Sequence, residues 1–451
     1  MRGILGGRGS ARAKSGGTIP AVIAGLHDAL VARSAAGRPV RVGLIGAGTF
    51  GDMFLRQAVR VPGVEIAGVV DLRTERARAA LDAAGAAGVP VDDELEPLLA
   101  RSPDVVVEAT GATIAAIGHV RAALAAGCHV VNVTVEADAL VGPALVAAAT
   151  RAGRVYSLAS GDQPALICEL VDWARTNGFD VVAAGKGTLH RPGFERTTPD
   201  DVWDRYGFDP AEADAAGYDR RMFTSFVDGT KSAIEMAAVA AATGLGVAEG
   251  GLAFPAAGAR ELAEVLRPES EGGRLERAGI VEVVSSAHPD GTPVAEDLRW
   301  GVYAVIEAPD DVAVRRFRDY GLAVDATGRH AALWRPNHLI GMELMTSVAQ
   351  VALLGIAMGA PSRWVADVVA VAKADLPAGT ELDGEGGYAV AGRLVPAARS
   401  RTGDAVPIGL AAGIRTVRPL AAGAIVTWAD VEPSPHADVL SMRTGMAADA
   451  P

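Results

Sequence analysis

"VGLIGAGTFGDMF", Val42 to Phe54, places Gly46, Gly48 and Gly51 in G-x-G-x-x-G spacing directly after a short apolar run and at the head of a helical pattern. Glycines at these positions permit a tight turn, close approach of a pyrophosphate and packing of helix on strand. The helix N-terminus, with Thr49 and Phe50 in its first turn, then stabilises phosphate charge. The triplet alone is a weak signal, but Asp71 closes the next apolar run, "VEIAGVVD", 20 residues after Gly51. A carboxylate there can accept hydrogen bonds from a ribose diol. The pattern predicts a bound dinucleotide, NAD or NADP. Asp71 leans to NAD because it repels a 2′-phosphate, whereas Arg73, with Arg76 and Arg78 behind it, could clamp that phosphate or simply form a solvated helix face.

Outward from this turn, apolar strands alternate with Ala-rich helical stretches. "VRVGLIG", "VEIAGVVD", "DVVVEATG", "CHVVNVT" and "RVYSLAS" are near-continuously apolar, as strands covered on both faces are. The expected class is α/β, with a Rossmann-type doubly wound parallel sheet over residues 38–160. Residues 161–360 form an α+β catalytic and oligomerisation domain, and residues 361–435 a small β-rich module. Residues 1–37 supply a leader and N-terminal helix, and residues 436–451 a tail. Thr110 and Gly111 end "EATG", where they would border the nicotinamide ribose. Asn132 and Glu136 lie at the end of the next strand, at the crevice where such sheets bind ligands. Glu136 reads equally well as the first turn of the following helix.

Net charge and cysteine content narrow the functional classes. The 451 residues carry a formal net charge of −12, which disfavours a nucleic-acid or anionic-membrane surface and favours a small-molecule partner. Two cysteines provide no disulfide framework, which fits a reducing cytoplasm. The Gly- and Arg-rich stretch 1–17 lacks a signal peptide's apolar run and is expected to be a disordered leader. "LIGMELMTSVAQVALLGIAMGA" is interrupted by Glu343, Gln350 and glycines, so it reads as a buried helix. No Cys/His cluster predicts a metal, although a divalent ion on scattered carboxylates would leave no motif.

"SFVDGTKSAIEMAAVAAATG" is almost wholly small and apolar, yet it carries Asp228, Lys231 and Glu235 on one helical stripe. The stripe is either a salt bridge at a helix edge or one wall of a site. Lys186, between two glycines in "AAGKGT", is either an exposed lysine or a cation for a carboxylate or phosphate, with His190 and Arg191 close behind. Asp162 and Gln163 in "SGDQP" suit a helix cap or contacts to substrate hydroxyls. His338 in "RPNHLIGME" is a structural or a site histidine. Two strand-like segments after Pro361 each lead into an "L-x-A-G" turn, a weak internal echo.

Together "GLIGAGTFG", "EATG", "NVTVEAD", "SLASGDQP", "AGKGT", "FVDGTKSAIEMA" and "RPNHLIGME" resemble the homoserine-dehydrogenase-like proteins that include the deoxyxylulose-phosphate-reductoisomerase-like enzymes. The module after Pro361 resembles an SAF domain of the β-clip type. The resemblance spans about residues 20–435. It implies a central domain that pairs subunits; "WGVYAVIEA" itself reads as an exposed-strand segment of that domain, and the expected assembly is a homo-oligomer, most simply a homodimer. It also implies acid/base residues presented to the nicotinamide, matched here by Asp228 and Lys231. A Lys in an apolar pocket would have a lowered pKa, with Asp228 orienting it. Two departures stand out: "NVTVEAD" has Glu136 where homoserine dehydrogenases usually carry a catalytic Lys, and Asp71 favours NAD where reductoisomerase-like members use NADPH. The function implied is an NAD(P)-dependent oxidoreductase moving hydride to or from a small polyhydroxylated or phosphorylated carbonyl compound, with or without skeletal isomerisation. Homoserine dehydrogenase and a non-catalytic, nicotinamide-bound sensor or SAF-mediated binding protein are the alternatives.

Overall fold

The computed structural model describes residues 25–448; the expected leader at 1–17 lies outside them. The five apolar runs become β1 (Val40–Ile45), β2 (Val64–Val70), β4 (Val105–Glu108), β5 (His129–Asn132) and β6 (Tyr156–Leu158), joined by a two-residue β3 (Val91–Asp92). All pair in parallel, in the order β3-β2-β1-β4-β5-β6. The order reverses between β1 and β4, where loops diverge and open a crevice at the strands' carboxyl ends.

The second sheet is mixed, in the order β10-β11-β9-β7-β8, from β7 (Asp180–Thr188), β8 (Ile280–Ser285), β9 (Val302–Glu307), β10 (Ala323–Val324) and β11 (His330–Arg335). "WGVYAVIEA" contributes β9, which lies between β7 and β11 and is buried. It is therefore no exposed strand, and the assembly expectation loses the segment it rested on. In the last module, β12 (Ala366–Ala372) pairs antiparallel with β13 (Val390–Pro396), a strand that the turn echo did not mark. The two L-x-A-G turns instead meet each other: Leu376 and Leu420 exchange both backbone hydrogen bonds, at 2.8 and 2.9 Å.

Two segments cross the expected boundaries. Within "LIGMELMTSVAQVALLGIAMGA" only Met345–Leu354 is helical, and its apolar face joins the core around β1. The expected tail forms a helix, Ala437–Ala448, that packs on the Val135–Arg151 helix of the first domain. Its buried Arg443 donates to the Leu140 carbonyl at 2.7 Å and pairs with Asp367 of β12, fastening the last module to the first. Among the described residues, no helix is long and apolar enough to cross a membrane.

The Thr230–Thr243 helix lies where all three domains meet, and nearly every residue along it is buried. A helix buried on all sides cannot leave charges unpaired, because an isolated buried ion costs several kcal/mol. The expected stripe is broken ahead of this helix: Asp228 ends the Arg220–Val227 helix and Gly229, at φ +87°, turns the chain, so only Lys231 and Glu235 ride the Thr230–Thr243 helix. All three charges need partners, and the partners come from three different parts of the chain.

Candidate active site

At the Gly-rich turn, Gly46 has φ +92°, and a Cβ there would lie 2.6 Å from the Ala109 carbonyl oxygen. A Cβ at Gly51 would collide with the Gly46 carbonyl, so the turn and helix can approach only as glycines. A Cβ at Gly48, by contrast, would meet only the Arg76 guanidinium, at 3.8 Å, so the backbone leaves the room a pyrophosphate needs over the N-terminus of the Thr49–Ala58 helix. The residues present thus fit a dinucleotide.

Asp71 is buried and accepts hydrogen bonds from the backbone N–H groups of Ala47 (2.7 Å) and Arg73 (2.8 Å) and from the Arg76 guanidinium (2.5 Å). Burial pushes its pKa up, but Arg76 and the two N–H groups outweigh that and hold the carboxyl below its usual range. Arg73 places its side chain in solvent and contributes only its backbone, whereas Arg76, one helical turn along, carries the charge that meets Asp71.

Gly48, Thr49, Phe50, Thr110 and Gly111 line a cavity of about 640 Å³ that runs from the Gly-rich turn to the central helix and the last module. Thr110 and Gly111 are set by Glu108, a wholly buried carboxylate at the end of β4. It accepts the Thr110 hydroxyl at 2.6 Å and the Thr134 hydroxyl, which in turn accepts the Gly111 N–H at 3.0 Å. Asn132 is placed differently. It lies 1% exposed beneath the cavity floor and donates to the Thr134 carbonyl and to Asp138, so it shapes the loop without reaching the cavity.

Lys231 projects into this cavity and pairs with Glu136 in the first turn of the Val135–Arg151 helix. Glu136 is thus in the first turn of its helix and on the cavity wall at once. Glu385, from the loop after β12, faces the same space and accepts the Ser225 hydroxyl at 2.5 Å. All three domains thus contribute ionisable groups, with Asp219 and Arg221 beside Lys231 and with Asp367 and Asp383 beside Glu385 on the cavity wall. Burial pulls the Lys231 pKa down, but Glu136, Glu385, Glu235 and Asp162 overcome it and raise the value. The expectation of a lowered lysine pKa is overturned, because the pocket is ringed with carboxylates. Glu385 itself is pushed up to about 7 by burial and by Glu136, with Lys231 opposing.

Asp228 does not meet Lys231. It is buried and pairs at 2.8 Å with Lys373, at the end of β12, which also donates to the Thr197 and Gly387 carbonyls. Burial raises the Asp228 pKa and Lys373 opposes that rise. Lys186 lies within β7, not on a loop, because the glycines beside it let the sheet close up: a Cβ at Gly187 would collide with the Leu298 carbonyl. Its ammonium is buried, donating to Gln163 Oε1 at 2.8 Å and pairing with Glu235. Asp162 caps the Gln163–Thr176 helix, accepting the Gln163 N–H at 2.9 Å, and its pKa is raised to about 6 by burial and Glu235.

His338 Nδ1 donates to the Trp300 carbonyl at 2.6 Å, and the ring lines a groove with Trp300, Leu339 and Met342. His190 stacks on Phe254 with ring centres 4.0 Å apart, and burial lowers its pKa. With Arg191 it lines a separate cavity, away from Lys231. Sequence reasoning missed Glu385 and Lys373: neither sits in a motif, and only the docking of the last module brings them in. Glu108 was within reach as the strand-terminal acid of "EATG". Among the described residues, no group of three or more His, Cys, Asp or Glu side chains is placed to hold a metal ion.

Comparison with known proteins follows the same three-part division. Residues 42–158 match the homoserine dehydrogenase NAD-binding domain, residues 161–344 the catalytic domain of oxidoreductase DRL, and residues 367–432 the SAF domain. L-aspartate dehydrogenase 1 of Bordetella pertussis is 39% identical over 121 residues, which is 26% of this chain and 43% of that protein. The chain thus spans less than half the length of this curated relative. Among solved structures, the WlbA dehydrogenase of Bordetella pertussis in complex with NADH and UDP-GlcNAcA is 23% identical over 34% of this chain and 45% of that one, with a TM-score of 0.28. Biliverdin reductase of Synechocystis in complex with biliverdin and NADP+ is 20% identical over 34% of this chain and 49% of that one, with a TM-score of 0.27. At such scores these two likenesses carry no functional weight.

Proposed function

We propose that the protein is an NAD(P)-dependent oxidoreductase that transfers hydride to or from a small polyhydroxylated or phosphorylated carbonyl compound. The observation that carries this reading is the convergence of Lys231, Glu136 and Glu385, from three domains, on the cavity that begins at the Gly-rich turn. Gly46, Gly48, Gly51 and the Asp71–Arg76 pair would hold a nicotinamide dinucleotide, which would supply the hydride acceptor or donor. Lys231, kept protonated by its carboxylate neighbours, holds the substrate oxygen and stabilises negative charge developing there. Glu136 fixes the ammonium. Glu385, with a pKa of about 7, moves the proton, since a general acid works best when its pKa is near the operating pH.

The test is turnover: purified protein with NAD or NADP and a panel of sugar phosphates, hydroxy acids, homoserine and aspartate, followed by the absorbance of reduced nicotinamide. Dinucleotide binding with no turnover on any member would favour a sensor and overturn the enzyme reading. Homoserine oxidation is the second outcome of the same panel, although Glu136 stands where that chemistry would place a lysine.

Cofactor choice turns on Arg76. Its guanidinium offsets the Asp71 charge that would otherwise repel a 2′-phosphate. Arg76→Ala should therefore weaken NADP binding by about tenfold while changing NAD binding little, as read by fluorescence titration. Equal losses for both dinucleotides would remove Arg76 from the discrimination.

Glu385 predicts a pH effect of definite sign. Its carboxyl pKa is raised from 4.5 to about 7, so the unfolded chain ionises first. Its stabilising contribution is complete below the unfolded pKa and is lost as pH rises through the folded one. Glu385→Gln should raise the melting temperature at about pH 8 by roughly 1–3 °C, leave it unchanged at about pH 4, and remove the limb near neutrality from the rate profile. A melting temperature equally altered at both pH values would count against the assignment.

A further inference from the structure

The first turn of the Thr230–Thr243 helix and the turn that leads into it form a wall between two cavities: Lys231 faces one, and Asp228, Gly229 and Ala233 face the other. The second cavity, about 1030 Å³, lies between the catalytic and SAF domains. We propose that it is a binding site for a small dianionic metabolite, one carrying a phosphate or a pair of carboxylates, distinct from the hydride-transfer site.

Its charge balance is the reverse of the molecule's. The chain as a whole is acidic, at −12, yet Arg191, Arg274 and Arg393 converge on this space and none lies within ion-pair distance of a carboxylate among the described residues. Arginines elsewhere, such as Arg101, Arg205, Arg267 and Arg335, are paired with carboxylates. The acids that line the cavity do not neutralise these three. Asp228 is bound by Lys373, and Glu195 lies 4.0 Å from Arg196.

The guanidinium groups arrive from separate elements: Arg191 from the loop after β7, Arg274 from the loop before β8, and Arg393 from β13 of the SAF domain. Arg191 also has a buried Nε with no hydrogen-bond partner, although its guanidinium is held over the Phe194 ring at 5.5 Å. The His190–Phe254 stack and Leu252 line the same cavity with apolar surface for the ligand's carbon frame. A cavity of this size is in the range that holds metabolites. An anion gripped by arginines from both domains would fasten the SAF domain to the catalytic domain.

The experiment uses the full chain saturated with NAD, so that the phosphate cradle at the Gly-rich turn is filled. Pyrophosphate and citrate are titrated separately by calorimetry, up to about 10 mM, into the parent protein, Arg393→Gln and Arg274→Gln. At least one probe should bind one-to-one and raise the melting temperature, and each variant should bind it about tenfold more weakly while keeping its NAD affinity. Preference for pyrophosphate identifies the ligand class as phosphorylated; preference for citrate identifies it as carboxylated. No binding of either probe to the parent protein, or binding that both variants retain undiminished, overturns the proposal.

Discussion

Lys231→Met should lower single-turnover hydride transfer by roughly 10²-fold or more while leaving dinucleotide affinity nearly unchanged. The cavity that holds Lys231 also holds the Gly-rich turn, but the lysine pairs with Glu136 and not with any residue of that turn. Removing it therefore removes an interaction with the reacting oxygen and spares the cofactor cradle. A second readout separates this role from a structural one. Lys231 holds the Glu385 pKa down, so its loss should move the neutral limb of the pH–rate profile upward. If Lys231 served only to fasten the helix to the first domain, the variant would melt earlier and turn over normally. Unchanged hydride transfer would exclude Lys231 from the mechanism.

The second large effect is on stability. Lys186→Met leaves Glu235 buried without its cation, at 5% side-chain exposure, and should cost about 3–5 kcal/mol in denaturant unfolding. Adding Glu235→Gln in the same chain removes the stranded charge and should recover most of that loss. The recovery distinguishes a buried pair from a substrate-binding lysine, since neither change restores a cation to the site. Failure of the double variant to regain stability would mean that the Lys186 contribution lies elsewhere, for example in its hydrogen bond to Gln163.

Local pattern carried most of the first domain. Apolar runs bounded by Gly and Asp specify buried parallel strands, and the positive φ at Gly46 is a requirement that only the turn's own residues can meet. The spacing from Gly51 to Asp71 likewise placed an acid beside the turn, because strand and helix lengths set that distance along the chain.

What sequence spacing could not determine is which charges meet. Lys231 and Glu235 do share one stripe of the Thr230–Thr243 helix, and that much was legible, but Asp228 ends the preceding Arg220–Val227 helix and is cut off from them by the left-handed turn at Gly229. The partners of all three lie far off in sequence: Lys373 across the SAF interface, Glu136 in the first domain and Lys186 on β7. Which of them faces the dinucleotide cavity follows from how three domains close around one helix. The Lys231 pKa shows why this matters. An apolar sequence neighbourhood predicts a lowered value, yet Glu136 and Glu385 from the other two domains, with Glu235 and Asp162 from its own, raise it. Burial acts through whatever packs against a group, and Coulomb attraction acts through space, so tertiary position decides both, and a chain neighbour such as Glu235 counts only because the helix holds it close.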